Sequence, residues 1–333
     1  MNSRERFLAA MRGETPDRAP LAHVAALTNV DVQRSTGCPM PEAHLDAEKM
    51  VCLCAANHTV FGFDAVTFII NFFNEPAALG CGMDWGSPEQ LPAYTSHPWS
   101  EPEQAVMPED LLDRPPVSIY LEALRLAKAR YGDEVGVIGK VMGPLSMTQV
   151  MHGLEQTMMD MIERPKAIRA FLRVCVEVGV RCANAQFEQG IDALSIGEGG
   201  AGANMVSPRM HEELLLEFHR EMVRRIDGPT VMHICGDITP RLEILKKMGL
   251  HCFNFDWAVE PKVMKSMAAG SFRLMGNVNT GDLMRGTPEE IERQVAENLE
   301  AGVEIISPGC AVSPLCPTEN LRAMAAGIRK WSG

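Results

Sequence analysis

The amino-acid sequence predicts a (β/α)8 barrel, and three observations lead there. Eight short apolar runs recur along 333 residues, most of them are followed by Gly, Pro, Asn or Asp, and helix-period segments occupy the intervals. Strands alternating with helices read as βαβ units of a parallel sheet. Eight such units in a chain of this length close into a barrel whose chemistry sits at the C-terminal ends of the strands.

Taken in order, the chain opens with charged residues leading into Phe7-Leu8-Ala9-Ala10, an amphipathic helix that precedes the first strand. The apolar runs span 21–26, 65–70, 135–141, 193–197, 230–234, 252–255, 273–275 and 303–306. Between them, 118–130 is an amphipathic helix, and 165–189 is long enough to cover a barrel flank. Ser207-Pro208 and Thr287-Pro288 each pair an N-cap with a proline in the first turn, and the last helix begins near Pro317-Thr318 and runs to about Trp331. Residues 71–115 break the rhythm with a Pro- and Gly-rich stretch, read as an elaborated loop after the second strand and a wall of the active-site mouth. The expected organisation is one barrel domain over 1–333, of the TIM class.

Composition narrows the function. The chain is 46% hydrophobic and 22% charged. No apolar run approaches the ~18 residues that a membrane span needs. A formal charge of −12 argues against a nucleic-acid partner, which would call for a basic face. Ten cysteines without a secretory leader pattern point to a reducing, cytoplasmic compartment, with Cys52, Cys54, Cys175 and Cys182 as small core residues on helical patterns.

The chemistry concentrates in PTVMHICGDITP, residues 229–240. At the end of a strand, His233 and Cys235 lie two apart and face the same side. Cys310, in VEIISPGCAVSP, follows another apolar strand into a Gly-containing loop. Three donors drawn from His, Cys and carboxylate, with a fourth position open, make a catalytic zinc site. A core histidine with two buried thiols would satisfy the same spacing. Cys316, six residues after Cys310, could substitute for it as a ligand, and His152, His211 and His219 lie on helical patterns as core or surface residues.

The stretches RERFLAAMRGETPDRAP, EPAALGCGMDWGSPEQLPAYTSHP, MGPLSM, VMHICGDITP, LMGNVNTGDLMRGTPEEI and SPGCAVSPLCPTENLRAM resemble the uroporphyrinogen decarboxylase superfamily over nearly the whole chain. Within it they resemble the methylcobamide:coenzyme M methyltransferases. The resemblance implies a zinc ion on His233, Cys235 and Cys310, a thiol such as coenzyme M, and a methylated corrinoid (methylcobalamin-like) as the other partner in methyl transfer. The chain carries no Asp-x-His-x-x-Gly cobalamin signature, so the corrinoid is expected on a separate protein docking over 71–98 at the barrel mouth.

Asp237 and Asp256 are candidates for orienting His233 or filling the open metal position, with Glu75 and Glu198 as similar candidates. For each, a cap or turn bond is the competing role. Asn277 contacts substrate or satisfies loop backbone. The oligomeric state stays open, a homodimer included.

Two departures matter. Where the decarboxylase branch has an aspartate at the end of the second strand, this chain has Asn71, and 23–37 offers one arginine to meet a polycarboxylate. After the fourth strand, GEGGAGANMVSP with Glu198 replaces the aspartate-proline element of the methyltransferases. Competing readings are a demethylating transferase that passes a methyl from a methoxy or methylamine donor to a cob(I)alamin protein, a porphyrinogen decarboxylase, and a catalytically silent metal-binding protein. No sulfonate-binding group for coenzyme M is identified.

Overall fold

A computed structural model describes residues 1–69 and 72–332. Its centre is a seven-stranded sheet of Ala65–Thr67, Gly136–Met142, Ala193–Gly197, Thr230–Ile234, Cys252–Phe255, Arg273–Val278 and Ile305–Pro308, in chain order across the sheet. Every neighbouring pair is parallel. Leu21 pairs with Ile306 and Ala22 with Ala65, so a short eighth segment joins the two edge strands and curls the sheet into a barrel.

The eight expected runs coincide with these eight positions, and the differences lie at their ends. The first run was expected to stay extended to residue 26, but strand pairing stops at Ala22. The Val24 carbonyl turns inward and accepts from Lys140 Nζ and from Ser195 Oγ, 3.1 Å away, in place of a ladder partner. The second strand ends at Thr67, and Asn71, the position that departs from the decarboxylase pattern, lies outside the described residues. The strands at 273 and 305 run three and two residues further than expected, to Val278 and Pro308.

The helices start where their caps place them. Thr287 closes a capping box with Glu290 ahead of Pro288–Glu300, and Ser207 accepts from Met210 N at 3.2 Å. Pro165–Glu188 covers one flank, burying Phe171, Leu172, Cys175, Val176 and Cys182 against the barrel. On Ala47–Thr59, Cys54 is buried and Cys52, two residues away and so on the opposite side of the helix, is exposed, contrary to its expected core place.

The stretch after the second strand holds more structure than a loop. It contains the short helix Asn74–Ala78, the hairpin Met83–Asp84 with Ala93–Tyr94, and two 3-10 turns at Pro102–Gln104 and Leu111–Asp113. The N-terminal end of the barrel is closed by ion pairs. Asp64, without solvent exposure, accepts from Arg6, Arg18 and the Leu21 amide. Asp192 takes Arg4, Lys128 and the Val137 amide. Among the described residues no helix is long and apolar enough to cross a membrane.

Candidate metal site

His233 stands near the end of Thr230–Ile234, in register with Gly197 on one side and Asn254 on the other. Its Nδ1 lies 3.2 Å from the Asn254 carbonyl. A carbonyl only accepts, so Nδ1 carries the proton and the Nε2 lone pair is left facing Cys235 Sγ, 3.3 Å away. Asn254 is itself held by bonds from Nδ2 to the Met275 carbonyl at 3.2 Å and Ser307 Oγ at 3.3 Å, which tie three adjacent strands to the orientation of one imidazole.

Immediately past Cys235 the chain reverses at Gly236, whose φ of +82° suits glycine. The Gly236 amide donates to Asp256 Oδ2 at 3.0 Å, and Asp256 Oδ1 accepts from Ala258 N at 2.9 Å. Asp256 therefore clamps the turn that carries Cys235. The Cys310 loop lies against the same segment, since a Cβ on Gly309 would sit 2.9 Å from Trp257 N. That close approach brings Cys310 Sγ to 3.8 Å from Cys235 Sγ.

The donor atoms of His233, Cys235 and Cys310 all lie within 4.8 Å of one another. With metal–sulfur bonds of about 2.3 Å and metal–nitrogen bonds of about 2.0 Å, tetrahedral coordination separates two sulfurs by about 3.8 Å and a sulfur and nitrogen by about 3.5 Å. The observed 3.8 and 3.3 Å fit two edges of that figure. The electrostatics agree. The contact with the Cys235 thiol pulls the Cys310 thiol far below the ordinary range, and Cys235 is pushed up in turn, chiefly by the same contact with Cys310 and by burial. One thiolate is already favoured in the pair.

The three donors open into a pocket of about 460 Å³. Phe72, Phe73 and Tyr94 from the segment after the second strand form part of its wall, with Met142, Val150 and Met205 among the other lining residues. Ser146 and Gln149, on the helix Pro144–His152, also reach it.

The remaining candidates take other places. Glu198 has no solvent exposure and does not line the pocket. Its oxygens accept from Leu145 N at 2.9 Å and Ser146 N at 3.0 Å, and Oε1 lies 2.7 Å from His219 Nε2. It caps the helix Pro144–His152 from behind as a buried anchor, and not from the pocket wall. Asn277 is likewise taken up by the protein. Its Nδ2 donates to the carbonyls of Asp256 and Val259, and its Oδ1 accepts from Asn298, so both ends of its amide are held by the protein.

Asp237 is exposed and caps Thr239, through N at 2.9 Å and Oγ1 at 2.7 Å. Neither it nor Asp256 bonds to His233, whose orienting partner is the Asn254 carbonyl. Glu75 is buried on Asn74–Ala78, where burial pushes its carboxyl up to about 7.

Sequence reasoning passed over Lys140, the one charge in the otherwise apolar strand GVIGKVM. It is 5% exposed, donates to the Val24 carbonyl and lies 4.3 Å from the centre of the Phe72 ring. Burial lowers its ammonium to about 7, opposed by the negative charge of Cys310, Glu75 and Cys235.

A model of uroporphyrinogen decarboxylase (URO-D) matches residues 2–331. The chain belongs to the uroporphyrinogen decarboxylase family. Within that family its similarity runs to methyltransferases. A methylcobamide:CoM methyltransferase of Methanosarcina acetivorans is 30% identical over 333 aligned positions covering 98% of each chain. A methylated-thiol–coenzyme M methyltransferase of Methanosarcina mazei is 28% identical, covering 99% of this chain and 90% of that protein. The solved structure of a methyltransferase from Methanosarcina mazei matches at a TM-score of 0.97 and 28% identity, with 100% of both chains covered. The family's barrel is therefore the barrel described above, and this chain falls on its methyltransferase branch.

Proposed function

We propose that this chain moves a methyl group between a corrinoid held by a separate protein and a small thiol, and that His233, Cys235 and Cys310 hold a zinc ion at which the thiol sulfur is bound. The observation that carries the reading is the triangle of donors, spaced as edges of a tetrahedron and open toward the pocket. When bound there, zinc supplies a Lewis-acidic position that keeps a thiol deprotonated at neutral pH.

The chain's own residues set the rest. Two thiolates and a neutral imidazole cancel the ion's double charge, so a substrate sulfur keeps its electron density and its power to attack carbon. The Asn254 carbonyl fixes the imidazole tautomer, and Asp256 fixes the Cys235 turn. Lys140 lies within electrostatic reach of both cysteines, and each further negative charge in the site favours its protonated form. The apolar wall keeps water from the sulfur and leaves room for a methyl carbon to approach it.

Around the mouth, Leu154 at the start of the helix Leu154–Glu163 is 40% exposed, and Trp257 and Leu315, on loops that follow barrel strands, are each 50% exposed. They join the segment from Phe72 to Tyr94 as a docking face for the corrinoid protein. A decarboxylase reading fares worse, since among the described residues that line the pocket there is no arginine to meet a polycarboxylate.

Purified, zinc-loaded protein given methylcobalamin and a thiol is expected to consume the methylated corrinoid and form the methyl thioether, followed by corrinoid absorbance and mass spectrometry. Demethylation of methoxy or methylamine donors with reduced corrinoid, without turnover of any thiol, would refute the assignment in favour of the demethylating reaction.

A further inference from the structure

Resting on that thiol-transfer reading, we propose that Lys140 is a positioning residue for the substrate sulfur: its ammonium, beneath the pocket floor, balances the negative charge that a thiolate adds to the metal site and so sets how tightly that thiolate is held. Two cysteine thiolates and a neutral imidazole leave a divalent ion with no net charge, so one further thiolate makes the site an anion. An anion facing Phe73, Met142, Val150 and Met205 without water needs a cation close by.

The strand register puts one there. Lys140 is paired with Ser195, two residues before Gly197, and Gly197 is paired with His233. The lysine side chain climbs toward the C-terminal end of the barrel, since a Cβ on Gly197 would lie 3.7 Å from Lys140 Nζ. Gly197, Ala25 and Phe72 line the pocket, whereas no lysine or arginine does among its described lining residues. Nζ donates to the carbonyl of Val24, next to Ala25, and lies 4.3 Å from the centre of the Phe72 ring. An ammonium has three N–H groups, so two remain after that bond.

The bond to Val24 does not make Lys140 part of the scaffold. Buried Arg6, by contrast, is held in an ion pair with Asp64 at 2.7 Å. The Val24 carbonyl also accepts from Ser195 Oγ at 3.1 Å and keeps that partner if the lysine is removed. The titratable groups facing Lys140 are His23 on the first barrel segment, Glu75 on Asn74–Ala78, and the donors His233, Cys235 and Cys310. Three of these five belong to the metal site. Burial holds the ammonium at about 7, so its charge responds to what binds beside it.

The test uses the full chain loaded with cobalt(II) in place of zinc, as wild type and as Lys140→Met, which keeps the length of the side chain and removes its charge. The sulfur-to-cobalt charge-transfer band reports thiol binding without corrinoid or turnover. The probes are 1-propanethiol, whose only charge on binding lies at sulfur, and 2-mercaptoethanesulfonate. At pH 7 the variant is expected to bind 1-propanethiol at least about tenfold more weakly than wild type, and to lose at least as much for the sulfonate. Cobalt per chain should be unchanged, and the thermal midpoint of the apo protein should not fall, because an ammonium buried without a carboxylate partner destabilises the fold. The lysine helps only while protonated. The gap between the two proteins should therefore be widest at the acidic end of the profile and close as pH rises through the loss of the Lys140 proton in the thiolate complex.

Unchanged affinity for 1-propanethiol would overturn the proposal, whatever the sulfonate does. A loss that is the same at every pH, or that comes with lost cobalt or a lower thermal midpoint, would overturn it as well and assign Lys140 to the scaffold. A wild-type protein whose spectrum no thiol alters would defeat the thiol reading itself, a result distinct from the others because it appears before any variant is compared.

Discussion

Replacing Cys310 by serine is expected to empty the metal site and to lower methyl transfer by at least about a thousandfold. A serine hydroxyl stays protonated at neutral pH and is a poor ligand for a borderline-soft ion, so two donors would remain where three are needed. His233→Ala removes the imidazole and should do the same. Cys316 cannot take over, because it is 2% exposed and donates to the Leu283 carbonyl at 3.0 Å, away from the other donors. Cys235 and Cys310 are both partly exposed, so the serine variant should keep its fold. Metal per chain after dialysis, together with the thermal midpoint of the apo proteins, checks both halves. A Cys310→Ser protein that retained one zinc ion per chain and full turnover would remove this residue from the site.

Glu198→Ala is expected to cost about 3–5 kcal/mol of stability, because it leaves buried partners without their counterpart. The carboxylate has no solvent exposure and serves two helix amides and a histidine ring. If His219 donates to Glu198, its Nδ1 accepts from His211 Nε2 at 3.3 Å, so the loss would reach a second buried ring. Glu198→Gln keeps an acceptor oxygen and the shape, and should lose markedly less. Urea denaturation of the apo proteins measures both. If Glu198→Ala abolished turnover while its unfolding curve stayed at the wild-type midpoint, Glu198 would belong to the reacting centre and not to the scaffold.

The convergence of His233, Cys235 and Cys310 was legible because their placement depends on local rules. A His-x-Cys step at a strand end inherits the two-residue period of the strand, and Cys310 follows a second strand of the same parallel sheet. The helix starts at Ser207 and Thr287 were legible for the same reason, a cap and a proline within one turn. The role of Glu198 was not, since it is decided by amides of Leu145 and Ser146 and by His219, all remote in sequence.

Asn277 shows the same limit. Its loop could have served a ligand, and only the packed structure brings Asn298 and the Asp256 and Val259 carbonyls to it. Lys140 did leave a signal, a charge inside an apolar strand, but its meaning came from partners on the first barrel segment and in the site. The short helix and hairpin after the second strand were hidden by a Pro- and Gly-rich composition that reads as irregular chain. The first strand ended early because two polar side chains claim the Val24 carbonyl, a contact invisible to local pattern.

The central claim is that two sulfurs and one nitrogen from this chain hold a zinc ion that accepts a further sulfur from outside. X-ray absorption at the zinc edge of the metal-loaded protein, recorded before and after adding a thiol, addresses it most directly. The predicted result is two sulfur neighbours rising to three, with one histidine nitrogen retained throughout. A zinc ion whose neighbours include no sulfur, or whose four protein ligands are unchanged by every thiol, would contradict it.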